Sequence, residues 1–277
     1  MPEILKQIEN EIVIILQKQL NEISLSKIKL LQISYSLIKA NKFINKRSIY
    51  YQAVPIFKSQ SRVDTLLTYY MKKFGCEMKC LNVKAGLKGI FYGNLEFVFQ
   101  NNERISLKGH CLIPDMGNIV NVEHKYSLIV VVEKETVMSR VKNEEFLTIC
   151  GKGYPCTNTL KLLQKLEPKV QVICMTDFDP HGLQIFLTYR KTIKEIKRIG
   201  LSSEDILRYR INRNECIQLK DREIKMIKEI KKKVEGYLIE EIDFMEGMGM
   251  KIELEAVMNQ VNFDIMKYLK IKGIEYG

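Results

Sequence analysis

Residues 170–182 read VQVICMTDFDPHG, an apolar, β-branched run that ends in two aspartates two positions apart, Asp177 and Asp179. A second apolar run, Leu128–Val132, ends in Glu133. Short unbroken apolar runs of this kind read as core strands of a parallel sheet. Ligands of an open α/β sheet gather beyond the carboxyl ends of its strands. The two runs therefore predict three carboxylates at one sheet edge. Like charges packed together raise one another's pKa, and a divalent cation relieves that repulsion. Hard oxygen donors suit Mg²⁺, which usually takes one or two carboxylates plus substrate phosphates. Pro180 and Gly182 predict a sharp exit from the strand into a helix. An isolated Asp-x-Asp is more often a solvated or capping pair. The second carboxylate-bearing strand favours the metal reading here.

Around these runs the rhythm is strand–helix–strand–helix: strand 128–132, helix 135–146, strand 170–176, helix 183–198. That alternation predicts a mostly parallel sheet covered by helices. A long charged helix follows over 221–244, then a loop at Gly247 and Gly249 and a final helix over 251–270. The cluster Lys231-Lys232-Lys233 reads as a solvated helix face.

Upstream the pattern differs. Ile4, Leu5, Ile8, Ile12, Ile15, Leu16 and Leu20 form one helical stripe, and further helices are predicted over 29–40 and 62–74, the last stopping at Gly75. Strand-like pieces at 89–92, 95–100 and 105–107 come next, with an Asn101-Asn102 turn. Helices followed by a small hairpin are compatible with a winged-helix module. Pro114, Asp115, Gly117 and Asn118 mark a joint over 111–126. The expected organisation is a multi-domain α/β chain, with a winged-helix DNA-binding domain over 1–110 and a Rossmann-like α/β domain over 111–277.

The chain has 277 residues, 46% of them hydrophobic, enough for one large or two modest cores. No run approaches the roughly 18 apolar residues of a membrane span, and the N-terminus has no signal-peptide pattern. A soluble intracellular protein without membrane association is expected. Seven scattered cysteines argue against a disulfide framework. Cys76 and Cys80 with His110 and Cys111 make only a weak zinc pattern, and ordinary thiols are the better reading. Residues 1–110 carry 17 Lys and Arg against 8 Asp and Glu, while residues 111–277 carry 27 against 25. A basic module joined to a carboxylate-bearing one suggests nucleic acid held by the first and worked on by the second.

Within the basic part lies Lys46-Arg47-Ser48-Ile49-Tyr50-Tyr51. A phenol with a pKa of about 10 is a poor nucleophile at neutral pH. A nearby guanidinium stabilises the phenolate and clamps a phosphate. Attack on phosphorus would leave a covalent phosphotyrosyl link. With 13 tyrosines in the chain, the motif says little alone.

In order, NKRSIYYQAVPIFKSQSRVDTLL (45–67), GLKGIFYGNLEF (86–97), LIVVVEKETV (128–137), GKGYP (151–155), MTDFDPHG (175–182) and GMKIELEA (249–256) resemble one family. It comprises the A-type, DNA-cleaving chain of topoisomerase VI and its eukaryotic relative, the meiotic double-strand-break transesterase. The resemblance spans about residues 40 to 260, and VVVEK with DFDPHG is its Toprim signature. It implies a winged-helix domain of the catabolite-activator type with Tyr51 as nucleophile and Arg47 as its arginine. It also implies Mg²⁺ held by Glu133, Asp177 and Asp179. The implied enzyme is a dimer on double-stranded DNA, with the tyrosine of one protomer facing the Toprim site of the other. It cuts both strands and stays on the 5′ ends.

Three positions depart from the family pattern: Ser48 and Cys156 where aspartate is usual, and Leu160 where arginine is usual. The chain is also short at its N-terminus. Because nucleophile, arginine and metal ligands remain, an active enzyme that starts meiotic recombination in the nucleus is expected. The alternatives are the catalytic A-type chain of a type IIB topoisomerase and a non-catalytic DNA-binding dimer. A Toprim hydrolase using activated water is a third. There is no GxxxxGK[ST] loop, so any ATP-driven step would need a B-type ATPase partner. Accessory recombination proteins are expected partners. His124 and His181 are candidates by type for the tyrosine's proton acceptor.

Overall fold

The structure, a computed structural model, describes residues 2–84, 86–166, 170–260 and 263–275. The chain divides into two compact units, Met1–Gly86 and Leu87–Gly277.

The first unit is helical. It comprises α1 (Pro2–Leu16), α2 (Glu22–Lys39), β1 (Ile44–Asn45), α3 (Lys46–Gln52), α4 (Val54–Phe57), α5 (Gln60–Phe74) and β2 (Val83–Lys84). The Ser59 hydroxyl caps the start of α5, and Gly75, at φ 60°, ends it as expected by donating its N–H to Met71. Ile8 and Ile15 of the predicted stripe are buried, whereas Leu16, the last residue of α1, and Leu20 beyond it are exposed. The core gathers Leu30, Leu31, Ile38, Ile49, Phe57, Val63 and Tyr70. Each such aliphatic or phenylalanine side chain contributes roughly 1.5–3 kcal/mol by leaving water. Its two short strands form a two-residue parallel match, Ile44 with Val83 and Asn45 with Lys84.

The second unit opens with β3 (Ile90–Phe99) and β4 (Arg104–Leu112), joined by a turn in which Asn102 adopts φ 63°. This is the predicted hairpin, but its place is corrected. β3 pairs antiparallel with β4 and also with a strand of the large sheet, Ile90 opposite Cys150. Phe91 and Phe97 are buried in the same core as Leu128–Val132. Residues 87–110 therefore belong to the second unit, and the expected boundary at 110/111 moves to 86/87.

The chain continues through β5 (Ile119–Glu123), β6 (Leu128–Val132), α6 (Glu135–Val141), β7 (Leu147–Cys150), α7 (Thr157–Leu166), β8 (Gln171–Met175), α8 (Pro180–Arg190) and β9 (Lys197–Gly200). Then come α9 (Ser203–Arg208), β10 (Cys216–Gln218), α10 (Asp221–Lys231), α11 (Tyr237–Met248), β11 (Met250–Ile252), α12 (Glu255–Met258) and α13 (Ile265–Ile271). The seven-stranded sheet runs β4-β3-β7-β6-β8-β9, with β5 also on β3. β6, β7, β8 and β9 are mutually parallel. Leaving β6, the chain builds first on one flank, at β7, and then on the other, at β8. The crevice outside the carboxyl ends of β6 and β8 is thus a topological switch point.

Several predicted elements are shorter. The 135–146 helix ends at Val141 and gives way to β7; the 183–198 helix ends at Arg190, before β9. Gly236, at φ 63°, divides the predicted 221–244 helix into α10 and α11. The predicted 251–270 helix becomes β11, α12 and α13, with residues 261 and 262 outside the described residues. Among the described residues, no helix is long and apolar enough to cross a membrane.

Candidate active site

β6 delivers Glu133 and β8 delivers Asp177, because Val132 and Met175 pair in register on adjacent parallel strands. Both carboxylates are buried, 8% and 4% exposed. The Asp177 N–H donates to Glu133 Oε2 at 3.2 Å. Phe178 forms an isolated antiparallel bridge with Ile252. That bridge brings in Leu254, whose N–H donates to Asp177 Oδ1 at 2.9 Å. The other Asp177 oxygen, Oδ2, lies 2.9 Å from the ammonium of Lys134. Asp179 is the N-cap of α8, its Oδ1 accepting from the Gly182 N–H at 2.5 Å.

Gly182 is required by close approach. A Cβ there would stand 2.3 Å from the Asp177 carbonyl oxygen. That carbonyl also accepts from buried Arg198, whose Nη2 donates to Asp177 O at 3.1 Å and to Leu201 O at 2.7 Å. Arg198 Nε donates to Thr176 Oγ1 at 3.0 Å. Sequence reasoning placed Arg198 at a helix end, and nothing local to it signals this role.

Burial, then the neighbouring Asp177 and Asp179 charges, push the Glu133 carboxyl up to about 8. Burial also raises Asp177, although the Leu254 N–H and Lys134 oppose it. Two crowded, desolvated carboxyls of this kind are the donor chemistry a hard divalent cation satisfies. The residues fit such an ion. Among the described residues, however, no three His, Cys, Asp or Glu side chains are gathered to hold one as they stand. Glu133 and Asp177 are brought together, Asp179 spends one oxygen on its helix, and Lys134 already occupies Asp177.

The GKGYP loop flanks this edge: the Gly153 N–H donates to the Glu133 carbonyl at 2.8 Å. Burial, Asp179 and Glu133 all raise the Tyr154 phenol, whose oxygen lies 3.2 Å from His181 Nδ1. His124 Nδ1 instead accepts from the Tyr126 N–H at 3.2 Å.

Tyr51 and Arg47 lie in the first unit, on α3. Asn45 caps that helix by accepting from the Ser48 N–H at 2.8 Å and the Ser48 hydroxyl at 3.1 Å. Buried Ile49 pins its inner face. Tyr51 is 66% exposed, and Arg47 is exposed too. They stand four residues apart, one above the other on the helix surface.

Residues 128–272 match the Toprim domain of the topoisomerase 6 A-chain/Spo11 family, and residues 26–83 match the type IIB DNA topoisomerase family. The chain belongs to the topoisomerase 6 A-chain/Spo11 family. Among its relatives is a probable meiosis-specific protein SPO11 homolog of Encephalitozoon cuniculi, 36% identical, the match covering 78% of each chain. The meiotic recombination protein rec12 of Schizosaccharomyces pombe is 27% identical over 86% of this chain and 74% of its own. The A-chain of DNA topoisomerase 6 from Arabidopsis thaliana is 25% identical over 83% of this chain and 60% of its own. The expected resemblance is borne out, and with it the reading of the chain as a DNA-cleaving transesterase of the type IIB topoisomerase kind. Residues 128–272 of the second unit form a Toprim domain, a metal-binding domain.

Ser48 closes the α3 cap that an aspartate would otherwise face. Cys156 immediately precedes α7. Burial alone would raise its thiol, but hydrogen bonds from Thr159 and from the Gly89 and Lys88 backbone outweigh that and lower it. The sulfur lies 3.3 Å from the Thr159 hydroxyl, three residues on. Leu160 packs against the core.

The other motifs are absorbed elsewhere. Cys76 and Cys80 lie in the first unit and His110 and Cys111 in the second, and all seven cysteines are free. Lys231 pairs with Asp243 and Glu246, and Lys232 with Glu229.

Proposed function

We propose that this chain makes DNA double-strand breaks through a 5′-phosphotyrosyl intermediate, with Tyr51 as nucleophile, and that the breaks start meiotic recombination in the nucleus. One observation carries the reading furthest. A solvent-facing tyrosine one helical turn from an arginine occurs in the same chain as paired, buried carboxylates at a Toprim switch point.

In this reading the Tyr51 hydroxyl gives up its proton as its oxygen attacks phosphorus. The bond to the 3′ oxygen breaks, that oxygen takes up a proton, and the 5′ phosphate stays on the protein. Arg47 holds the non-bridging oxygens and stabilises the phenolate in a planar, two-point grip. Glu133, Asp177 and Asp179 would hold Mg²⁺, which when bound supplies positive charge against the phosphate. Asp177 is oriented for this by the Leu254 N–H on its side chain and by Arg198 on its carbonyl. The first unit serves as the DNA-binding domain through its helices; the hairpin that would have been its wing belongs to the second unit. The enzyme acts as a homodimer on double-stranded DNA, so that two tyrosines cut two strands.

A second reading has a specific basis: relatives named as the A-chain of DNA topoisomerase 6 match 83% of this chain. In that role it would work with a B-type ATPase. Purified protein incubated with end-labelled duplex and Mg²⁺ tests the chemistry. Protein-blocked 5′ ends are expected, whereas cleavage that leaves free 5′ ends would place the chain among water-using Toprim hydrolases.

A further inference from the structure

We propose that Lys134 is a tethered cation that sits on Asp177 in place of the divalent metal and is displaced when the metal enters. The inference rests on the metal-site reading above and concerns how that site is regulated.

Lys134 directly follows Glu133 and leads into α6 with extended backbone, φ −114° and ψ 151°. An ammonium has three N–H donors. The Lys134 ammonium lies within ion-pair reach of three carboxylates, Asp177 Oδ2 at 2.9 Å, Glu253 Oε1 at 3.2 Å and, too far for a hydrogen bond, Glu255 Oε2 at 3.6 Å. Glu255 is itself held by the Thr136 hydroxyl, which donates to Oε1 at 2.7 Å. These groups come from segments far apart in the chain, drawn together by the Phe178–Ile252 bridge. Other lysines near these segments are engaged elsewhere, Lys251 with Glu223 at 2.6 Å and Lys152 with Glu135 at 2.8 Å.

The consequence is a competition. A compact ammonium is a point charge on a flexible stem. It neutralises part of the acidic edge while no metal is present. An ion held by Asp177 would compete with the ammonium for that carboxylate, and the displaced side chain would keep Glu253 and Glu255 within reach. Metal affinity is thereby set lower than the clustered carboxylates would otherwise give.

The test is a Mn²⁺ titration of the full chain followed by electron paramagnetic resonance of free Mn²⁺, on wild type, Lys134→Met and Lys134→Arg. Loss of the ammonium should tighten Mn²⁺ binding on the order of ten-fold, the effect of removing one charge-assisted hydrogen bond. Lys134→Arg, which keeps the charge, should stay near wild type. Equal or weaker binding by a folded Lys134→Met protein overturns the inference, since the lysine then only positions Asp177 or is idle. Wild-type protein that binds no Mn²⁺ overturns the metal-site reading as well. A second measurement needs no variant: reductive methylation of wild type, read by mass spectrometry at Lys134. Methylation should accelerate when Mn²⁺ is added, and an unchanged rate also overturns the inference.

Discussion

The backbone amide of Asp177 donates to the side chain of Glu133 at 3.2 Å, so the two strand-end carboxyls share one buried pocket. Burial and the Asp177 and Asp179 charges raise Glu133 to about 8, against 4.5 in an unfolded chain. Between those values the folded protein holds a proton that the unfolded chain has lost. Metal-free stability should therefore fall as pH rises from about 4.5 to about 8. Thermal melts across that window should show the slope. Added Mg²⁺ and the Glu133→Gln substitution should each flatten it.

Gly182→Ala should be costly for a local reason. The new methyl would stand 2.3 Å from the Asp177 carbonyl, and backbone cannot move aside cheaply. A loss of about 1–3 kcal/mol is expected in denaturant melts, with weaker metal binding alongside. A variant as stable as wild type would mean the DFDPHG turn is looser than the structure has it.

Cys156 offers a test of the departures from the family pattern. If its sulfur caps α7, Cys156→Asp should keep wild-type stability, and Cys156→Ala should lose roughly 0.5–2 kcal/mol. Equal stability in all three proteins would remove the capping role.

DNA binding should be steeply salt-dependent, because residues 1–110 carry 17 Lys and Arg against 8 Asp and Glu. Fluorescence anisotropy over a salt series should show log affinity falling with log salt by about 0.9 per phosphate contacted. A flat profile would sink the electrostatic reading of the basic part.

The sheet's centre was legible in the sequence because Leu128–Val132 and Val172–Met175 are unbroken apolar runs, and burial on both faces leaves that signature. The hairpin strands were legible too, but periodicity tells a strand's faces and not its partner. Only the pairing of Ile90 with Cys150 reveals which unit holds them. The strands Leu147–Cys150 and Lys197–Gly200 are four residues each, too short to stand out beside flanking helices. Of the site, Glu133 and Asp177 were readable as strand-end carboxylates. Lys134, Arg198 and Leu254 were not, because each acts through a contact that no local pattern encodes: Lys134 and Leu254 on the Asp177 side chain, Arg198 on its carbonyl.

The most direct measurement is to recover cleaved DNA from wild type and Tyr51→Phe, digest the attached protein, and sequence any peptide on the 5′ phosphate. Wild type should yield a peptide containing Tyr51 joined through its phenolic oxygen, and Tyr51→Phe should yield none while still binding DNA. Adducts of equal yield in the variant, or linkage through another residue, would contradict the assignment.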